Sequence, residues 1–240
     1  SMNTSFADIE KKENRKDLII SICVFLSGFS CFAQLYYFQP LLPDLAKDFI
    51  LSASESSFAI SFSTLGMVFG LFTTMFVADR IPRKKMIGTG LLSSSIFSVA
   101  ASFSPTFLPL ILLSAAKGFL LSGATSVSMA YIAEEVSSRN KGKIMGLYIA
   151  GNALGGMAGR VISSWIGALY TWRIASVSIG LICALFAILF LLFSPRSTNF
   201  MPRKESFHTL IIANLQLITS KALIPFYLTG GLILGVFVSL

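Results

Sequence analysis

"FVADRIPRKKMI", residues 76–87, interrupts an oily chain with one acid and four basic residues. An apolar run lies on each side of it, at 56–78 and 86–103. Crossing the hydrocarbon core of a bilayer takes about 20 apolar residues. Backbone groups in lipid must bond within their own segment, so such runs are helices. The charged knot therefore reads as a loop between two membrane-crossing helices. Working outward, the same pattern recurs. The candidate spans are 18–38, 56–78, 86–103, 107–133, 144–169, 174–193 and 223–240.

Composition supports this reading. Of 240 residues, 54% are hydrophobic and only 12% charged, about half the charge of a soluble domain. The net charge of +8 is no nucleic-acid signature, because the basic residues sit in short loops between apolar runs. With the N-terminus in the cytoplasm, inner segments hold fifteen Lys and Arg, and outer segments hold two, Lys47 and Arg173. That is the bias by which membrane proteins orient. The first run is too long for a signal-peptide core and has no small-residue cleavage site behind it, so it is expected to stay in the membrane.

The chain divides into four parts. Residues 1–17 form a cytoplasmic tail, and 18–193 a unit of six transmembrane helices. Residues 194–221 form a basic linker ending in an amphipathic helix, and 222–240 begin a further helix. The polar, proline-broken "SPRSTNFMPRKES" (194–206) followed by a new apolar run suggests the start of a second half. His208, in the linker, reads as an interfacial side chain. Cys23, Cys31 and Cys183 lie inside apolar runs with no metal-ligand spacing. No carboxylate cluster lies within the runs, and no glycine-rich phosphate loop is seen. No cofactor, metal or enzyme activity is expected.

Two embedded cations are the most informative residues. Lys117 and Arg160 each lie about 15 Å from the outer ends of their helices, at ~1.5 Å per residue. A charge at that depth costs at least about 2.5–3.5 kcal/mol, which argues against lipid exposure. They read as the wall of a water-filled path, or as partners of helix carbonyls or of a further half. No Asp or Glu accompanies them, which favours an anionic or zwitterionic solute. Ser27, Ser30, Gln34 and Tyr37 form a polar stripe on the first helix, which its spacing leaves open as a helix–helix contact or a cavity face. Asn152, Gly156 and Arg160 share a stripe on the fifth. Gly151, Gly155 and Gly159, four apart, let a partner helix approach closely.

The knot itself resembles a motif of the major facilitator superfamily, Gly-x-x-x-Asp-Arg/Lys-x-Gly-Arg/Lys-Arg/Lys. Asp79, Arg80, Arg83 and Lys84 match it; Met75 and Pro82 stand at the glycines. Exporters of that family carry Gly-Pro-x-x-Gly-Gly on helix 5. Gly151, Asn152, Gly155 and Gly156 match that pattern, with Asn at the Pro. With "QPLLPDL" (39–45), the chain resembles bacterial inner-membrane exporters near the arabinose-efflux permeases and drug:proton antiporters.

The resemblance implies an all-α integral membrane fold, the six-helix N-terminal half plus the start of helix 7. It implies a cytoplasmic gate of Asp79, Arg80, Arg83 and Lys84, the Asp meeting a helix N-terminus of the other half. It implies a substrate path lined by helices 1, 2, 4 and 5, hence by Lys117, Arg160, Asn152, Gln34, Tyr37, Ser27 and Ser30. The family's helix-4 Arg, linked to proton coupling, is Ser114 here, with Lys117 three residues on. The expected partners are a small-molecule solute, the lipid bilayer and the missing C-terminal six-helix half, with no nucleic acid. The expected function is export by alternating access in a bacterial inner membrane. The alternative is a truncated half-transporter that does not transport, or a membrane subunit that depends on assembly.

Overall fold

A computed structural model describes residues 2–202 and 207–239. Arg203, Lys204, Glu205 and Ser206 of the linker, the side chain of His208, and Leu240 of the last run lie outside the described residues. The chain forms two compact units, residues 1–202 and 203–240.

In the first unit, all but the last two residues of the first apolar run lie in α1, Met2–Tyr36. The helix extends back through the charged tail, so the 1–17 segment is helical from residue 2. Pro40 follows in a short 3₁₀ turn, Gln39–Leu41. Two short helices then fill the loop, α2 (Leu42–Asp48) and α3 (Ala53–Ser56). Hydropathy does not signal either, since neither is long enough to span. Local chemistry builds them instead. Ile50 takes a left-handed φ of 55° after α2, and the Leu51 N–H bonds the Ala46 carbonyl at 2.8 Å, as at many helix ends. Ser52 and Glu55 form a reciprocal capping box that starts α3.

Four further long helices and a fifth complete the unit: α4 (Phe58–Val77), α5 (Arg83–Ala101), α6 (Phe107–Glu135), α7 (Lys141–Leu169) and α8 (Trp172–Phe193). Each coincides with a predicted span to within a few residues. Thr171 caps α8 through the Ile174 N–H at 3.2 Å. Pro195 stops it, holding Ser194 extended. Helices α1, α4, α6 and α8 are long and apolar enough to cross a membrane on their own composition. Helix α5 is diluted by serines, and α7 by glycines and Arg160. The α5 serines bury their hydroxyls by bonding carbonyls one turn back: Ser94 and Ser95 to Leu91 at 2.8 Å, and Ser98 to Ser94 at 3.2 Å. That removes most of the cost of a polar group in lipid.

The helices pack chiefly as α4 on α6, α1 on α7, and α5 on both α6 and α8. Lipid gives no hydrophobic push between helices, so close backbone contact has to hold them. Small residues supply it. Gly118 of α6 meets the Ser63 backbone of α4, and Gly155 of α7 meets the Phe29 backbone of α1. Large apolar side chains such as Phe69, Phe72, Trp165, Leu181 and Leu192 stay exposed on the outside. Two buried clusters fill the interior. One lies around Ile20, Leu91, Leu121, Tyr131 and Phe190, the other around Tyr37, Phe38, Leu45, Leu110 and Trp172.

The second unit contains α9 (Phe207–Ile218), within the amphipathic segment, and α10 (Ile224–Ser239), within the last apolar run.

Candidate solute path and gate

The last residues of α1 and the two after its end form an aromatic run, Tyr36-Tyr37-Phe38, and both embedded cations lie on it. The Lys117 ammonium sits 4.6 Å from the centroid of the Tyr37 ring and 4.9 Å from that of Phe38. The Arg160 guanidinium sits 4.9 Å from the centroid of the Tyr36 ring. The two cations therefore lie on successive rings, Arg160 on the last residue of α1 and Lys117 on the two that follow it. Among the described residues, neither has a carboxylate within ion-pair distance. Aromatic faces return about 0.5–2 kcal/mol to a cation, less than its cost in the membrane. Nε and Nη2 of Arg160 are buried without a hydrogen-bond partner among the described residues.

Burial separates the predicted path residues into two groups. Arg160 and Asn152 keep part of their surface open. The Asn152 side chain lies over Gly28 of α1, and its Oδ1 has no hydrogen-bond partner among the described residues. Gly156, between them on the stripe, faces Tyr36 and Phe32. Lys117, Ser27, Ser30, Gln34 and Tyr37 are at most 2% exposed within the first unit. The α1 stripe points toward α5 and α8. The Tyr37 hydroxyl bonds Ser176 Oγ at 2.7 Å, Ser176 donates to the Ser98 carbonyl at 2.8 Å, and Ser98 donates to Gln34 Oε1 at 3.1 Å. Cys183 of α8 reaches the Ser30 carbonyl at 3.7 Å. Gln34 Nε2 and the hydroxyls of Ser27, Ser30 and Ser114 stay unpaired among the described residues. The packing glycines sit on the other side of α1: Gly151, Gly155 and Gly159 meet the backbones of Phe25, Phe29 and Ala33.

Tyr37→Phe tests the stripe. It deletes one buried hydrogen bond, worth about 1 kcal/mol, and keeps the ring under Lys117. A thermal midpoint lowered by about 2–4 °C is expected, the usual response of 150–250 residues to a change of that size.

At the basic end, the charged knot folds into a compact network. Arg83 is buried. It bonds the Ala78 carbonyl at 2.7 Å, Asp79 at 3.0 Å and Glu134 at 3.1 Å. Lys84 turns elsewhere, donating to the Ser194 carbonyl at 2.6 Å. Burial, and next the charge of Arg196, hold the Lys84 ammonium below the ordinary lysine range. Arg80 is exposed. Pro82 extends the backbone immediately before α5, at φ −53° and ψ 133°. Glu134 is the penultimate residue of α6. Its pairing with Arg83 spans 51 positions, and no local pattern signals it.

Residues 21–240 match the profile of the Major Facilitator Superfamily. An uncharacterized transporter of Buchnera aphidicola (subsp. Schizaphis graminum) is 35% identical over 97% of this chain and 56% of its own length. The inner membrane transport protein YnfM of Escherichia coli is 35% identical over 92% of this chain and 53% of its own. The chain thus spans about half the length of the curated relatives it matches. Among solved structures, the proton:xylose symporter XylE superposes with a TM-score of 0.70 at 16% identity, over 90% of this chain and 52% of that one. This likeness is one of fold. Six packed long helices in the first unit, the charged knot at one end and a profile match over nearly the whole chain converge: the chain belongs to the Major Facilitator Superfamily.

Proposed function

We propose that the chain is the N-terminal half of a secondary transporter in a bacterial inner membrane. It exports a small anionic or zwitterionic organic solute by alternating access. The observation that carries this is Arg160: a mid-helix guanidinium, stacked on Tyr36, with no carboxylate paired to it among the described residues. A group lining a path between two halves has to show surface when one half is viewed alone, and Arg160 and Asn152 do so. Lys117, Gln34, Tyr37, Ser27 and Ser30 form a polar seam behind them, with Lys117 as the ionisable group of the seam. Asp79, Arg80, Arg83 and Lys84 form the inner gate. The charge bias of the loops supports a cytoplasmic N-terminus. The other wall of the path comes from a C-terminal six-helix half.

The test uses the full-length protein in proteoliposomes, with labelled organic anions, zwitterions and cations of similar size. Counterflow of anions or zwitterions is expected. Counterflow of cations alone would overturn the reading.

A further inference from the structure

Lys84 belongs to the gate motif by sequence, yet its bonds lead to the segment after α8. That segment, "SPRSTNF" (194–200), is strapped across the basic end. The Tyr131 hydroxyl donates to the Pro195 carbonyl at 2.7 Å. The Lys84 N–H donates to Ser197 Oγ at 3.0 Å, and its ammonium to the Ser194 carbonyl. Glu135 is one helical turn beyond Tyr131, on the same face of α6. Its Oε1 accepts the Asn199 N–H at 2.8 Å, and its Oε2 accepts the Thr198 hydroxyl at 2.9 Å. Lys16 of α1 pairs with the same Oε2 at 3.0 Å, and the Glu135 side chain has no exposed surface. The next residue along the strap is Phe200, whose ring centroid lies 5.0 Å from Arg83 Cζ.

Arg83 is thus held on its edges by Asp79 and Glu134, and on one face by Phe200. The geometry points to Glu135 as a positioning residue of the gate: by fixing Thr198 and Asn199 it keeps Phe200 on Arg83. The proposal rests on the gate reading above, and it assigns Glu135 a role distinct from that of its neighbour Glu134. A buried carboxylate is stable only with its charge-assisted bonds made, so Glu135 and the strap hold each other. The strap is the first stretch of the basic linker, 194–221.

The experiment uses the full-length protein in nanodiscs and needs no solute. Hydrogen–deuterium exchange is read on the peptide covering 195–200, and phenylglyoxal modification on Arg83. Glu135→Gln keeps the side-chain volume. It is expected to speed strap exchange about tenfold or more, the size expected for loss of charge-assisted hydrogen bonds. Arg83 modification should rise with it. Phe200→Ala should raise Arg83 modification alone. Thr198→Val, which leaves Glu135 intact, should speed strap exchange by a smaller factor, and it serves if Glu135→Gln fails to fold. Unchanged strap exchange in both variants overturns the proposal. So does a freed strap with unchanged Arg83 modification. Flux is read separately: a wild-type protein that moves no anion or zwitterion overturns the transport reading and leaves these outcomes standing.

Discussion

Gly155→Ala is expected to destabilise the protein by about 2 kcal/mol or more, whereas Gly142→Ala on the same helix stabilises it slightly. In a helix interior, Ala is favoured over Gly by about 1 kcal/mol; Gly155 starts with that gain in full, and Gly142, the second residue of α7, with part of it. At Gly142 nothing lies within 4 Å of the added methyl, and the gain stands. At Gly155 the methyl would lie 2.5 Å from Phe29 Cα and 2.7 Å from its carbonyl carbon. Those are backbone atoms of α1, with no rotamer to move aside. Overpacking costs about 1–3 kcal/mol, at times more, and here α1 must shift away from α7 as a whole. Gly151 and Gly159 face the same helix, so the shift loosens all three contacts. Thermal unfolding of the full-length protein in detergent reads the difference. Equal midpoints for the two variants would mean that α1 and α7 do not meet at Gly155.

Arg160→Ala is expected to abolish flux of an anionic solute, by about 100-fold or more, without lowering thermal stability. The two halves of this result have separate causes. Truncating one partner of a buried hydrogen-bonded charge pair costs about 2–5 kcal/mol, and each 1.4 kcal/mol is tenfold. Stability moves the other way. The guanidinium costs about 2.5–3.5 kcal/mol in the membrane, and its stack on Tyr36 returns only part of that. Arg160→Lys should restore only part of the flux, because it keeps the charge and loses the planar fork. Retained flux in Arg160→Ala would sink the assignment. Lost flux with a collapsed midpoint would show a packing role instead.

Much of the fold is legible in the sequence, because each span is a local property. The run at 107–133 is apolar over its own length and becomes α6 wherever its neighbours stand. Helices α2 and α3 escape such reading because they depend on caps and turns at Ile50 and Ser52, and not on hydropathy. The helical extension of α1 escapes it because charge disguises it as a tail. At the site, Lys117 and Arg160 are visible as charges in oily runs. The side each takes is not visible. The stripe at Ser27, Ser30, Gln34 and Tyr37 is correctly periodic, yet periodicity only says that the four residues share a face. The bonds to Ser98 and Ser176 show that the face is turned toward α5 and α8. Tyr36, in direct contact with Arg160, carries no polar pattern of its own. Its one signal is the aromatic run at the end of α1.

The sequence by itself determined membrane residence, the number of long helices and the charged knot between the second and third of them. The physical reason is that a bilayer tests each segment separately: every backbone group must be bonded within its own helix, and every charge answers for its own depth. Only the tertiary structure decided which cations stack on which rings, which polar groups are sealed inside, and that Glu134 bonds Arg83 while Glu135 bonds Thr198 and Asn199. Those outcomes depend on the rotation of each helix about its axis. Contacts between residues far apart in the chain set that rotation, Gly155 on Phe29 and Gly118 on Ser63 among them.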